Sequence, residues 1–287
     1  MTTIAPPAAA PTTGLAGGVA ALAASGLSNQ VGAATGALAF PVIGPVGVVS
    51  IRQFVAAGVL MATVRPPLRS FTRQQWWPVL CLGLVFGTMN LTLYAAIDRI
   101  GLGLAVTLEF LGPMAIALAT TRRRSGLAYA LAAAVGVAIL SRPQPTTDYL
   151  GIALGLVAAA CWAAYILLNR VIGARLPGLQ GTAAAAGFSA LLYLPVGVWV
   201  LIAHPPTPAA LGCALTTGVL SSIVPYAADI ITLRRVPPHL FGILMSMNPV
   251  IAALVGLVVL HQVLGWSEVV AMGLIVLANV AAVASSD

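Results

Sequence analysis

The chain is a succession of apolar runs separated by short stretches that contain charged residues, Pro or Gly. A helical run of about 20 apolar residues spans the hydrocarbon core of a bilayer, which is roughly 30 Å thick. The pattern therefore predicts ten transmembrane helices joined by short connections. They are expected near residues 14 to 36, 42 to 63, 76 to 96, 101 to 120, 125 to 141, 150 to 170, 183 to 203, 209 to 232, 238 to 260 and 264 to 284.

Composition supports an all-α membrane protein and excludes a water-soluble fold. Of the 287 residues, 60% are hydrophobic and 7% are charged, and the mean hydropathy is +1.03, whereas soluble domains carry about 25% charged residues. The net charge of +7 comes from basic residues scattered between apolar runs, so we expect no nucleic-acid partner. Cys81, Cys161 and Cys213 lie in separate runs without metal-ligand or disulfide spacing. We therefore predict neither a metal site nor a cofactor.

The arginines predict how the helices are oriented. Connections after the second, fourth, sixth and eighth predicted helices carry ten Arg residues, whereas the opposite connections carry only Arg99 and Arg142. Because basic residues concentrate on the cytoplasmic side of a membrane protein, both termini are predicted to be cytoplasmic. Residues 1–13 contain no basic residue, so we expect a disordered tail rather than a signal peptide.

A weak internal repeat divides the predicted helices into two sets of five. The stretch DRIGLGLAVTLEFLGPMAIALA from Asp98 aligns with RRVPPHLFGILMSMNPVIAALV from Arg234, which superposes Pro113 on Pro249 at an offset of 136 residues. Because five is odd, the second unit must cross the membrane in the opposite sense to the first. We therefore predict an inverted repeat of residues 14–141 and 150–284, with a transport site near the midplane between them.

Two charged residues are predicted at similar depth inside this membrane domain. Glu109 lies in the middle of the fourth predicted helix, where a buried ionisable group indicates a functional site. Pro113 removes the donor that would bond the Glu109 carbonyl, so a kink is expected there; Pro249 is its counterpart. Arg52 lies within the second helix. Either it forms a structural ion pair with Glu109, or Arg52 binds a substrate carboxylate while Glu109 binds an ammonium or an exchanged proton.

Other polar residues within the apolar runs are candidate substrate contacts or interhelical hydrogen bonds. They are Asn90, Tyr94, Tyr165, Tyr226 and Asn248. Asn90 and Tyr226 have more weight because the offset of 136 superposes them. For Asp229, an ion pair with Arg234 or Arg235 competes with a functional role. The chain has no nucleotide-binding loop or catalytic motif, which argues against an enzyme and for transport driven by a gradient.

Three stretches of the sequence resemble the EamA-type drug/metabolite transporter superfamily, in its threonine and homoserine exporter branch. They are VGAATGALAFPVIGPVGVVSIRQ from Val31, LYAAIDRIGLGLAVTLEFLGPMAIAL from Leu93 and AACWAAYILLNRVIG from Ala159. The resemblance extends from about residue 20 to 283 and places Glu109 and Arg52 in motifs of that branch. It implies an inner-membrane exporter of small amino acids that exchanges substrate for protons.

Two alternatives to amino-acid export remain open. The same fold could export another metabolite or a cationic drug, with Glu109 binding the cation and Arg52 acting only structurally. A membrane enzyme or a non-transporting scaffold is the alternative from another class.

Overall fold

The computed structural model describes residues 12–120, 148–225 and 247–284, together with positions 128, 129, 131, 132, 135, 136 and 139. Within these ranges all regular structure is helical. The helices are α1 (Thr12–Ala37), α2 (Phe40–Val64), α3 (Arg73–Ile100), α4 (Leu102–Glu109), α5 (Leu111–Thr120), α6 (Tyr149–Gly173), α7 (Gln180–Ala203), α8 (Pro208–Gly218), α9 (Asn248–Leu260) and α10 (Trp266–Ala284). A π-helical turn, Val219–Ile223, continues α8, and a 3₁₀ turn, Leu68–Ser70, lies between α2 and α3.

The predicted all-helical membrane architecture is confirmed in its coarse form. Within the described residues, α2, α3, α6 and α7 are each long and apolar enough to cross a membrane. Shorter apolar helical stretches cover Leu102–Ile116, Pro208–Ile223, Asn248–Leu260 and Trp266–Ala278. The number of ten spans, the inverted repeat and the orientation of the termini stay predictions. Most of the helix predicted at 125 to 141 and all of 226–246 lie outside the described residues, as do 1–11 of the predicted tail.

The predicted helix from 101 to 120 is interrupted in the structure. It ends as α4 at Glu109 and resumes as α5 at Leu111. The break lies three residues before Pro113, which has no backbone N–H to donate to the carbonyl of Glu109. The carboxylate-bearing residue is consequently the last residue of a helical segment rather than part of a continuous span.

A second irregularity lies inside α2 and was not predicted. Gly44 has φ of +63° and ψ of 171°, and Pro45 follows it. Glycine is required here because a positive φ is sterically unfavourable for residues with a Cβ. The interruption separates the first turn of α2 from the longer segment that carries Arg52.

Helices α3 and α6 are connected at both ends by polar contacts. At one end, Arg99 Nε lies 2.9 Å from Asp148 Oδ2, and the Asp148 carboxylate also caps the start of α6. At the other end, Gln75 Nε2 donates a hydrogen bond of 3.0 Å to the carbonyl of Arg175. These contacts fix the two helices along their length and so fix the helix that carries Tyr94.

The central core is formed by side chains from α1, α2, α3, α4, α8 and α9. Its fully buried members include Tyr94, Val48 and Leu102. Large apolar residues such as Trp199, Ile202 and Val258 are instead more than half exposed. An apolar periphery around a core that contains polar side chains is the arrangement expected of a protein that lies in lipid.

Candidate functional site

Arg52 is held inside the helix bundle by three hydrogen bonds. Its Nη2 donates to the backbone carbonyl of Ser221 at 2.8 Å, its Nη1 to Tyr94 Oη at 3.1 Å and its Nε to Ser222 Oγ at 3.3 Å. Its guanidinium carbon also lies 5.4 Å from the centroid of the Tyr94 ring, within the range of a cation–π interaction. The arginine therefore joins α2 to both α3 and the turn that follows α8.

The partner of Arg52 after α8 is a π-helical turn, Val219–Ile223. Such turns depart from the regular helical hydrogen-bond pattern and often occur at functional sites. Ser28 Oγ donates to the carbonyl of Leu220 at 2.9 Å, and Ser221 Oγ donates to the carbonyl of Asn29 at 2.9 Å. The turn is consequently fixed against α1 on one side and binds the guanidinium on the other.

Tyr94 is positioned by packing as well as by its hydroxyl. Its side chain is fully buried, and its ring makes an edge-to-face contact with Phe40 at a centroid distance of 6.0 Å. An edge-to-face pair restricts the orientation of both rings. The phenol oxygen is thereby held where it can accept a hydrogen bond from Arg52.

Glu109 is buried without a hydrogen-bonded partner in the described part of the chain. Its residue is 7% exposed. Among the described residues, the one salt bridge joins Arg99 and Asp148. No nitrogen of Arg52 therefore lies within 4.0 Å of the Glu109 carboxylate oxygens. Arg52 is nevertheless close enough to act on the carboxylate electrostatically. The two side chains are therefore not in direct ion-pair contact in this conformation, and both roles considered for Arg52 stay predictions.

The surroundings of Glu109 are contributed by α6. The ring of Phe110 meets that of Trp162 edge-on at 4.6 Å between centroids, and Cys161 is close enough to Glu109 to interact electrostatically. Gly112 approaches the backbone of Ala159 so closely that a Cβ at this position would overlap it. Close packing of α5 on α6 thus places the acidic side chain near Cys161 of α6.

The other candidate substrate contacts in the described part of the chain are Asn90, Tyr165 and Asn248. Asn90 is buried, and its Nδ2 donates to the carbonyl of Phe86 one turn earlier at 2.8 Å. Tyr165 packs its ring on Phe86 at 5.4 Å between centroids. Asn248 is buried at the start of α9, beside Gly26 of α1. Tyr226 lies outside the described residues, so its relation to Asn90 by the predicted repeat stays a prediction.

Pro249 occupies the first turn of α9, which begins at Asn248. Proline is favoured there because the first backbone N–H groups of a helix have no partner within it. The described residues thus contain an interruption shortly before Pro113 and a helix start immediately before Pro249. Whether a longer helix is kinked at Pro249 depends on residues 238–246, which lie outside the described part.

Sequence reasoning missed Ser221 and Ser222 as partners of Arg52. Two consecutive hydroxyl residues inside an apolar run, SSIVP from Ser221, were the available signal. No local pattern could reveal that they face a residue 169 or more positions earlier. Among the described residues no group of three His, Cys, Asp or Glu side chains could hold a metal ion, so the site offers an arginine, an isolated carboxylate, hydroxyls and aromatic rings.

Comparisons with known proteins agree with this architecture. Residues 149–283 match the EamA-like transporter family. The threonine/homoserine exporters RhtA of Escherichia coli K12 and of Salmonella typhimurium are each 34% identical over 262 residues, which cover 88% of this chain and 86% of the relative. These relatives are transporters and not enzymes.

A crystal structure of another protein superposes with a TM-score of 0.58 at 20% identity, covering 96% of this chain and 98% of that chain, and supports the fold alone. Because the similarity to the exporters extends over most of both chains, the protein belongs to the EamA-like transporter family.

Proposed function

We propose that this membrane protein exports threonine, homoserine or similar small amino acids across the bacterial inner membrane in exchange for protons. The observation that carries the proposal is the buried carboxylate of Glu109, which has no hydrogen-bonded partner in the described residues and lies within the electrostatic reach of Arg52. A zwitterion carries one group for each of these charges. The 34% identical relatives are threonine/homoserine exporters, which supports the same substrate class.

In the proposed mechanism, Glu109 binds either the substrate ammonium or a proton, but not both. Competition for one carboxylate couples amino-acid transport to proton transport, since release of the amino acid leaves the carboxylate available for protonation. Arg52 exchanges part of its bonding to Ser221 and Ser222 for the substrate carboxylate, while Tyr94 continues to orient the guanidinium. Arginine suits this exchange because its planar guanidinium binds a carboxylate through two parallel hydrogen bonds. Alternating access would then expose the site to each side of the membrane in turn.

The test is efflux of radiolabelled threonine and homoserine from loaded cells that produce the wild type or Glu109→Gln. The expected result is wild-type efflux that a protonophore abolishes and a variant without efflux. Glu268→Gln is the matched control, because this partly exposed carboxylate caps α10 by accepting from the N–H of Gly265 at 2.6 Å. It should retain efflux. Wild-type cells that export no faster than cells without the protein would overturn the proposal.

Export of a cationic metabolite or drug is the second candidate. It is favoured by one observation, the three hydrogen bonds that already hold Arg52 in place. With the guanidinium occupied, Glu109 would be the single charged ligand for an incoming cation. Efflux of a lipophilic cation that depends on Glu109 and not on Arg52 would support this function instead.

A further inference from the structure

Gln30 of α1 has a buried amide oxygen that no group in the described part of the chain satisfies. The residue is 2% exposed, and no donor within the described part of the chain bonds Oε1. An amide oxygen removed from water without a hydrogen bond is unfavourable, and native proteins rarely retain such a group without a reason. Because this oxygen can only accept, whatever satisfies it must present an N–H or an O–H.

Two hydrogen bonds relate the position of Gln30 to that of Arg52. The carbonyl of Asn29, the preceding residue, accepts a hydrogen bond from Ser221 Oγ, while the carbonyl of the same Ser221 accepts one from Arg52 Nη2. A single residue, Ser221, therefore bridges the α1 backbone next to Gln30 and the guanidinium. One turn further along α1, Ala33 packs in the central core that contains Tyr94.

We propose that Gln30 Oε1 accepts a hydrogen bond from the side-chain hydroxyl of the transported amino acid and so determines selectivity for hydroxylated over apolar amino acids. This inference rests on the proposed function. A neutral acceptor suits a neutral hydroxyl, whereas the substrate ammonium is better matched by the negative charge of Glu109. The three polar groups of threonine or homoserine then each have a protein partner: the carboxylate at Arg52, the ammonium at Glu109 and the hydroxyl at Gln30.

Selectivity of this kind follows from the cost of an unsatisfied acceptor. A substrate without the hydroxyl displaces any water near Gln30 and leaves Oε1 without a donor, so the transporter discriminates against it. Replacing Gln30 by Met keeps the length of the side chain and removes the acceptor. In Gln30→Met, a substrate without the hydroxyl no longer leaves an acceptor unsatisfied. The hydrogen bond to the hydroxylated substrate is lost as well.

The experiment compares efflux of threonine, homoserine and 2-aminobutyrate at equal internal concentrations. The last compound is the carbon skeleton of both amino acids without the hydroxyl. Wild type is expected to prefer the hydroxylated pair, and Gln30→Met to lower the ratio of threonine to 2-aminobutyrate efflux about tenfold, the factor set by one buried hydrogen bond. Because the result is a ratio, it does not depend on how much variant protein accumulates.

Gln53→Met is the matched control. Gln53 is a second buried glutamine, but its Nε2 donates to Ser189 Oγ at 3.0 Å in the contact between α2 and α7. This substitution should leave the ratio unchanged. If Gln30→Met does not accumulate, Gln30→Ala, which also removes the acceptor, is measured in the same way.

An unchanged ratio in the Gln30 variants would overturn the inference while leaving amino-acid export intact. Equal wild-type efflux of all three compounds would do the same. Wild-type efflux of none of them would instead refute the proposed function, and the assignment of Gln30 with it.

Discussion

Arg52 Nη2 donates a hydrogen bond of 2.8 Å to the backbone carbonyl of Ser221, in the π-helical turn after α8. The two residues are 169 positions apart, yet their bond connects a cationic side chain of α2 with a turn that is also fixed to α1. A movement that frees the guanidinium must therefore alter the contacts of three helices. This is the connection through which substrate binding at Arg52 could affect the arrangement of the bundle.

Replacing Arg52 by Gln should reduce amino-acid efflux at least tenfold, because a charged hydrogen bond to the substrate carboxylate is worth about 1.5–3 kcal/mol. Arg52→Lys should recover part of the activity, since it keeps the charge but not the bidentate geometry. The measurement is initial efflux rate against internal substrate concentration, normalised to the amount of protein in the membrane. Undiminished threonine efflux by Arg52→Gln, with normal protein abundance, would exclude direct recognition of the carboxylate.

Tyr94→Phe should raise the apparent KM for the amino acid about 3- to 10-fold, because the hydroxyl that accepts from Arg52 at 3.1 Å is lost. The ring contacts with Phe40 and with the guanidinium are retained, so the fold should persist. Tyr193→Phe is the control: it removes a bond of 2.8 Å to the carbonyl of Gly87. That variant should lower the unfolding temperature in detergent without changing KM, and a similar change of KM in both variants would argue against a specific role for Tyr94.

Gly44→Ala should destabilise the protein by about 1–2 kcal/mol, because Gly44 has φ of +63° and alanine disfavours the left-handed region. Apart from the adjoining residues and backbone of α2 itself, no described atom lies within 4 Å of the position that a Cβ on Gly44 would occupy, so the cost is backbone strain rather than overlap. Gly58→Ala, in the same helix and equally unobstructed, should be neutral or stabilising. Thermal unfolding in detergent measures both, and equal midpoints would contradict the strain argument.

Asp148→Asn should remove a pH-dependent stabilisation where the end of α3 meets the start of α6. The Gly151 N–H and the Arg99 side chain donate to the Asp148 carboxylate and lower its pKa below the ordinary value of 3.8. A lowered folded-state pKa contributes stability above the unfolded-state value, and the contribution is lost as the pH falls through the folded-state pKa. The midpoint difference between wild type and variant should thus be constant from about pH 5 to 8 and disappear in stronger acid. A difference in unfolding midpoint between wild type and variant that grows as the pH falls would contradict a lowered pKa of Asp148 in the folded state.

Most helix positions could be predicted because hydrophobicity is a local property of the chain. The expected span of 150 to 170 appears as α6, Tyr149–Gly173, and that of 42 to 63 appears as α2, Phe40–Val64. The break at Gly44 was not predicted, since apolar residues continue on both sides of it, whereas a kink at Pro113 was expected and the break at Phe110 lies three residues before it. Glycine followed by proline indicates a possible interruption, but neighbouring helices determine whether it forms.

The sequence by itself determined that the chain is an all-helical membrane protein, and it identified Arg52 and Glu109 as charged residues within apolar runs. Both conclusions follow from the cost of placing charge in an apolar environment, which a linear sequence displays. Only the tertiary structure decided that Arg52 bonds to Tyr94 and the Ser221 turn rather than directly to Glu109, and that Gln30 Oε1 has no donor among the described residues. These relationships join residues on different helices, and their geometry depends on how the helices pack.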